Sequence, residues 1–269
     1  MVRPRPRAPV SRRSSGLELH VERSGKGPPV VLGHGLGGSA RNFRPQAEAL
    51  EPSYELVRFD ARGHARSPAP AEARAYRPEA FVSDVAALVG SSAPAIVGGL
   101  SMGAGVALRC ALERPEIVRA LLLFAPPRGG EEQASWAREF ARAIDEQGLE
   151  AAGAEFVWGA RSRFDPKGAR LIRQGFLEHE PHAIAHVLRE LIAAQPSVSA
   201  LEPRLKKLEL PTLVVVGTRD TASLETAEQL SQAIPGARLE RIAGAGHVVN
   251  LAAPDEFNRR LVAFLKSLA

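Results

Sequence analysis

Cysteine and long apolar runs are both scarce in this chain, and each scarcity excludes something. Among its 269 residues there is one cysteine, Cys110, so no intrachain disulfide can form, and a reducing, cytoplasmic setting is expected. No stretch approaches the roughly eighteen uninterrupted apolar residues of a membrane span, so no membrane partner is expected. The first fifteen residues carry no acid, only Arg3, Arg5, Arg7, Arg12 and Arg13 among prolines and serines. The net charge of +5 belongs to that arm, because without it basic and acidic residues balance at 30 each. A neutral remainder gives no reason to expect nucleic acid. We read 1–15 as a disordered basic leader. Arg12-Arg13 looks like half of a twin-arginine signal, but no apolar segment comes after it.

What is present is ordinary for a globular protein: 45% hydrophobic and 24% charged residues, enough for one domain with an insertion or two small ones. Leu17 to Glu22 alternates like a half-buried strand. Short apolar runs come next at Pro29–Leu32, Tyr54–Phe59, Ala95–Val97, Ala120–Phe124 and Leu213–Val216. Helical spacing separates them, from Ser39 to Leu50, from Pro78 to Val89 and from Ala104 to Leu112, where Cys110 falls on the apolar face. Solid apolar strands alternating with helices predict a parallel sheet covered on both faces. The rhythm breaks at Pro126-Pro127 and returns at Pro211. Between them, glycines and prolines punctuate short helices that hold Trp136, Trp158, Phe140, Phe156, Phe164 and Phe176. These rings either pack a small core of their own or line a pocket over the sheet's carboxyl edge. A last strand, Ala237–Ile242, precedes an amphipathic helix that begins near Pro254, and no internal repeat is found.

Gly99-Leu100-Ser101-Met102-Gly103 lies between an apolar strand and a helix, the pattern of a nucleophile elbow. A sharp turn there leaves the serine exposed at a helix N-terminus, where backbone N–H groups favour negative charge. A glycine-rich turn with a spare hydroxyl fits the same five residues, so the surroundings decide. They include His34-Gly35-Leu36-Gly37, Asp60-Ala61-Arg62-Gly63-His64, Gly217-Thr218-Arg219-Asp220 and Gly246-His247, each at a predicted strand's carboxyl end.

With these motifs in Ser, Asp, His order, the chain from Gly16 to Ala269 resembles the α/β-hydrolases. It is most similar to their serine esterase, lactonase and perhydrolase group, which includes the 3-oxoadipate enol-lactonases. The resemblance implies a mostly parallel eight-stranded sheet flanked by helices. The core would be 16–126 and 206–269, with a helical cap, 127–205, inserted after the sixth strand. It implies Ser101 as nucleophile, His247 as base and Asp220 as the carboxylate that orients it. The backbone N–H groups of Leu36 and Met102 would form the oxyanion hole, with His34, Gly35, Trp136 and Trp158 near the substrate. No cofactor and no metal are implied.

Several alternatives stay open. Glu131 or Glu132 could supply the acid in place of Asp220. His34 would shape the oxyanion loop, and Asp60, Arg62 and His64 would tie loops together beside it. His182 and His186 sit four apart on one predicted helix face, but nothing offers a third metal ligand at a standard spacing. Arg128, Arg161 and Arg163 could hold an anionic substrate or lie in solvent. One departure from the family pattern is Ala252, where relatives often carry a glutamate. The expected partner is a small-molecule ester or lactone; homo-oligomerisation is left open. Rival functions on the same fold are a carbon–carbon bond hydrolase, a cofactor-free haloperoxidase or perhydrolase, and a non-enzymatic ligand receptor.

Overall fold

A computed structural model describes residues 17–159 and 166–268 of the chain. The leader 1–15, Arg161, Arg163 and Phe164 lie outside the described residues. The strands are β1 (Val21–Gly25), β2 (Pro29–Gly33), β3 (Glu55–Phe59), β4 (Ala95–Leu100), β5 (Val118–Phe124), β6 (Thr212–Gly217) and β7 (Arg238–Ile242). They form one sheet in the order β1-β3-β2-β4-β5-β6-β7, with β1 antiparallel and every other pairing parallel. All residues of β4 and β6 are buried, as are nearly all of β2 and β5, because helices cover both of their faces. The edge strands β1 and β7 are more exposed and carry the charges.

The expected count of eight strands is corrected to seven among the described residues, and the helical segment comes after the fifth strand rather than the sixth. The first strand also begins later than Leu17. Among the described residues it pairs with β3 alone, which is five residues long, and the pairing ends at Val21 opposite Phe59. Beyond that point, among the described residues, the ladder continues only through Asp60 N–H to His20 O at 2.9 Å.

The helices are α1 (Arg44–Leu50), α2 (Pro78–Val89), α3 (Met102–Glu113), α4 (Gly130–Phe156), α5 (Pro166–Phe176), α6 (Pro181–His186), α7 (Val198–Leu205), α8 (Thr221–Ala233), α9 (Val249–Ala252) and α10 (Pro254–Lys266). None among the described residues is long and apolar enough to cross a membrane. α1, α9 and α10 pack together, and Phe124 of β5 meets Phe257 edge to face at 4.7 Å beneath them. α3 lies along β4 and β5 and packs on α2. Cys110 of α3 is buried, and burial pushes its thiol up to about 12, so it packs as a small apolar group.

The segment from α4 to the residues just before α7 leaves the sheet and returns to it at one place. Gly129 and Gly130 have φ of 69° and 76°, and Gly130 N–H donates to Gln195 O at 2.9 Å. A β-carbon on Gly129 would lie 2.0 Å from Pro196 O, so only glycine fits between the two legs. α4 is broken at Gly148, whose φ is 81°. A π-helical stretch, Val187–Ile192, succeeds α6, and Ile192 O accepts from Gln133 Nε2 at 3.1 Å.

Candidate active site

Ser101 joins β4 to α3 with φ 52° and ψ −109°, a backbone conformation few non-glycine residues adopt. Its neighbours explain how the turn is held. β-carbons on Gly99 and Gly103 would lie 2.3 and 2.1 Å from Gly33 O, so β2, β4 and α3 meet backbone to backbone. Ser101 N–H donates to Phe124 O at 2.8 Å. Met102 opens α3, so its N–H is one of the helix's first four, which have no intrahelical acceptor.

β2 delivers the facing loop. Gly38 N–H donates to Gly35 O at 3.0 Å, closing a tight turn in which Gly37 has φ 68°. Leu36 N–H has no acceptor among the described residues. His34 lies behind this loop, fully buried. Its Nδ1 lies 2.7 Å from Gly35 O, and Ala61 N–H donates to its Nε2 at 2.9 Å. That arrangement requires a neutral ring protonated on Nδ1, and burial accordingly lowers its pKa to about 4. Because a peptide unit is planar and trans, the bond to Gly35 O fixes the direction of the Leu36 N–H.

The other two triad candidates come from the ends of β6 and β7. Asp220 caps α8, accepting from Ser223 N–H at 3.3 Å. The loop holding His247 is laid against it: Arg219 N–H donates to Ala245 O at 2.9 Å, and a β-carbon on Gly217 would strike that same oxygen. His247 Nδ1 lies 2.7 Å from Asp220 Oδ2. Burial by itself raises the Asp220 carboxyl, but the facing His247 and the donors from His247 and Ser223 outweigh it and hold it below the usual range. An ionised carboxylate only accepts, so His247 carries a proton on Nδ1, which in the neutral ring leaves Nε2 unprotonated. Glu131 and Glu132 are elsewhere, exposed on α4 and paired with Arg138 and Arg128.

Ser101, His247, Asp220, Gly35 and Leu36 line one cavity of about 110 Å³. The rest of its wall is largely apolar, with Trp136, Phe140, Val157, Ile172, Phe176 and Ile192. Phe140 is stacked between Phe156 at 4.8 Å and Phe176 at 5.9 Å, so the aromatic wall is braced from behind. Trp136 therefore reaches the cavity, whereas Trp158 does not line it. The Trp158 ring lies over Gly153 and against Phe176, with the Arg173 guanidinium 5.1 Å above it. Arg128 is on the rim, bonded to Glu132 at 2.6 Å and 3.9 Å from Glu225.

The remaining motif residues brace loops. Arg62 binds Asp84 through two bonds of 2.7 Å, and Asp60 accepts from Ala40 N–H and Arg66. His64 is buried between His34 and His179, with ring centroids 4.9 and 5.1 Å away. His182 and His186 turn their Nε2 atoms toward Ala69 O and Ala71 O. Among the described residues no cluster of three metal-ligating side chains occurs. Ser223 and His179 are invisible to a motif search, since neither lies in a motif.

The elbow, the loop after β2 and the acid–histidine pair at successive strand ends define an α/β-hydrolase. Residues 30–260 match the alpha/beta hydrolase family, and the chain belongs to it. It is 32% identical over 266 residues to polyketide synthase ThaQ of Burkholderia thailandensis, covering 93% of this chain but only 12% of that much longer protein. Among solved structures, it is similar to an enol-lactonase from Burkholderia xenovorans. That match has 26% identity and a TM-score of 0.81, covering 94% of this chain and 98% of the other. A thermophilic esterase from Thermogutta terrifontis gives 26% identity and a TM-score of 0.84, covering 96% of this chain and 97% of the other.

Proposed function

We propose that this protein is a serine hydrolase cleaving a carboxylic ester or lactone through an acyl-Ser101 intermediate. The observation that carries the reading is the 2.7 Å pairing of His247 with a buried carboxylate on the wall of the cavity that Ser101 also lines. A serine hydroxyl is a weak nucleophile unless a base takes its proton during attack. In this reading Ser101 Oγ bonds to the substrate carbonyl carbon, its proton passes to His247 Nε2, and the carbonyl π pair moves onto oxygen. The Leu36 and Met102 N–H groups receive that oxyanion. Asp220 keeps the imidazole in the useful tautomer and offsets the imidazolium charge. Collapse re-forms the carbonyl and expels the alkoxide, which takes the proton from His247. Water then repeats the cycle: His247 accepts its proton, the acid departs and Ser101 regains its hydrogen.

The helices of 127–205 act in this reading as a cap that sets the substrate's shape. Their apolar wall suits an uncharged acyl group, and the carboxylates paired with Arg128 leave its charge little to offer an anionic one. The similar enol-lactonase and esterase support the bond type.

The test is labelling with a fluorophosphonate probe alongside hydrolysis of a panel of acyl esters and lactones, neutral and anionic. Ser101→Ala is expected to abolish both labelling and turnover. Undiminished labelling of that variant would remove Ser101 from its role, and a preference for anionic lactones would overturn the uncharged-acyl reading.

A further inference from the structure

The loop that carries the Leu36 N–H is gripped from two sides. One grip, by His34, comes from the sheet. The other comes from the helical segment, through the turn between α5 and α6. The Phe176 ring is pressed against Gly37, where a β-carbon would lie 2.3 Å from Phe176 Cδ2. His179, buried three residues later, places its Nε2 3.1 Å from Gly38 O. Its Nδ1 lies 3.1 Å from Phe176 O, within its own turn. Between them Glu178 pairs with Arg41, just beyond the loop.

From this arrangement we infer that His179 is a positioning residue for the oxyanion loop, and that Phe176 and His179 together couple the cap to the oxyanion hole. The inference rests on the acyl-Ser101 reading. Phe176 has two neighbours that matter: its ring forms part of the cavity wall that meets the acyl group, and it also bears on Gly37. Gly38 O is the last carbonyl of the tight turn that begins at Gly35. A neutral imidazole has one N–H for the two carbonyls it faces; with that proton on Nε2, His179 donates to Gly38 O, stops the turn from swinging and keeps Leu36 N–H aimed at the place where charge develops. Misplacing such a group by a fraction of an ångström costs rate rather than binding, since the full interaction exists only in the transition state.

Two substitutions separate this role from simple packing. A glutamine at 179 can bring its amide N–H to the place of Nε2, whereas an asparagine reaches only the place of Nδ1. His179→Ala and His179→Asn are expected to lower kcat for a short acyl ester by about tenfold or more. KM should stay within about threefold, and fluorophosphonate labelling should slow in parallel, because that reaction uses the same hole. His179→Gln should recover most of the loss. Thermal midpoints measured beside the kinetics show whether a rate loss merely tracks a loss of fold. If Gln and Asn lose rate equally, in step with their midpoints, or if kcat is unchanged in all three, the positioning role is overturned. Absence of labelling in the wild-type chain would instead remove the acyl-Ser101 reading itself, so the two failures are distinguishable.

Discussion

A β-carbon added to Gly103 would land 2.1 Å from the Gly33 carbonyl oxygen, a distance at which backbone must move. Gly103→Ala is therefore expected to destabilise the protein by about 1–3 kcal/mol, as overpacking does. At roughly 2–4 °C per kcal/mol for a domain of this size, the change is readable in a thermal melt. An unchanged midpoint would mean that α3 slides away freely. Asp220→Asn tests a different property of a single residue. The amide keeps the shape but can present its N–H to His247 Nδ1, which disfavours the tautomer with a bare Nε2. The expected loss is about 10⁴-fold in kcat with the melt preserved; a loss below tenfold would mean that Asp220 does not orient the base. Residues of this kind are legible because the apolar runs of β2, β4 and β6 lead directly into the loops that carry them. Ser223 is not, since its link to Asp220 needs the first turn of α8 to be formed.

At the scale of elements, the loops around the cavity are held by a buried amide network as well as by the sheet. Asn250 of α9 donates to Asn42 O at 2.8 Å and to Gln46 Oε1 at 3.0 Å. Gln46 of α1 donates in turn to Asn250 O and to Asn258 of α10. This joins the chain after His247 to the chain after the oxyanion loop. Asn250→Ala would strip both acceptors of their donor, at a cost of about 1–3 kcal/mol in urea unfolding. No measurable change would show that water replaces the amide without penalty. Periodicity finds α1 and α10 but not their pairing, because Gln46 lies some two hundred residues from Asn250 and Asn258 and the three leave no pattern. The edge of the sheet is harder to read than its middle for a related reason. Leu17–His20 alternates like β1, yet β3 ends before it can pair with them.

For the molecule as a whole, the buried imidazoles contribute to the loss of stability in acid. Burial lowers the pKa of His34 to about 4, holds His64 well below its ordinary value, and lowers His179 as well. In the unfolded chain each returns to about 6.5. Between these limits the unfolded state binds more protons, so stability rises with pH. The contribution is complete above about 6.5 and is lost as pH falls toward 4. Urea midpoints at pH 7.5, 6 and 5 should fall in that order, and His64→Gln should flatten the slope. A flat profile in the unsubstituted protein would mean that the three rings protonate without opening the fold. Composition shows seven histidines but no hint that three of them lie in one buried row, since their spacing in sequence is irregular.

The two legs of the helical segment touch, Gly129 against Pro196 and Gly130 against Gln195. Seen from the sheet, everything between them is an excursion that ends where it began. Such an excursion can lengthen, shorten or be exchanged at small entropic expense, because closing a loop costs little more as the loop grows. No strand need move to accommodate it. Grafting the corresponding helices of another hydrolase between Gly129 and Pro196 would thus change what enters the cavity and remove the Phe176 and His179 contacts to the Gly37–Gly38 loop, while Ser101, Asp220 and His247 keep their places at the strand ends.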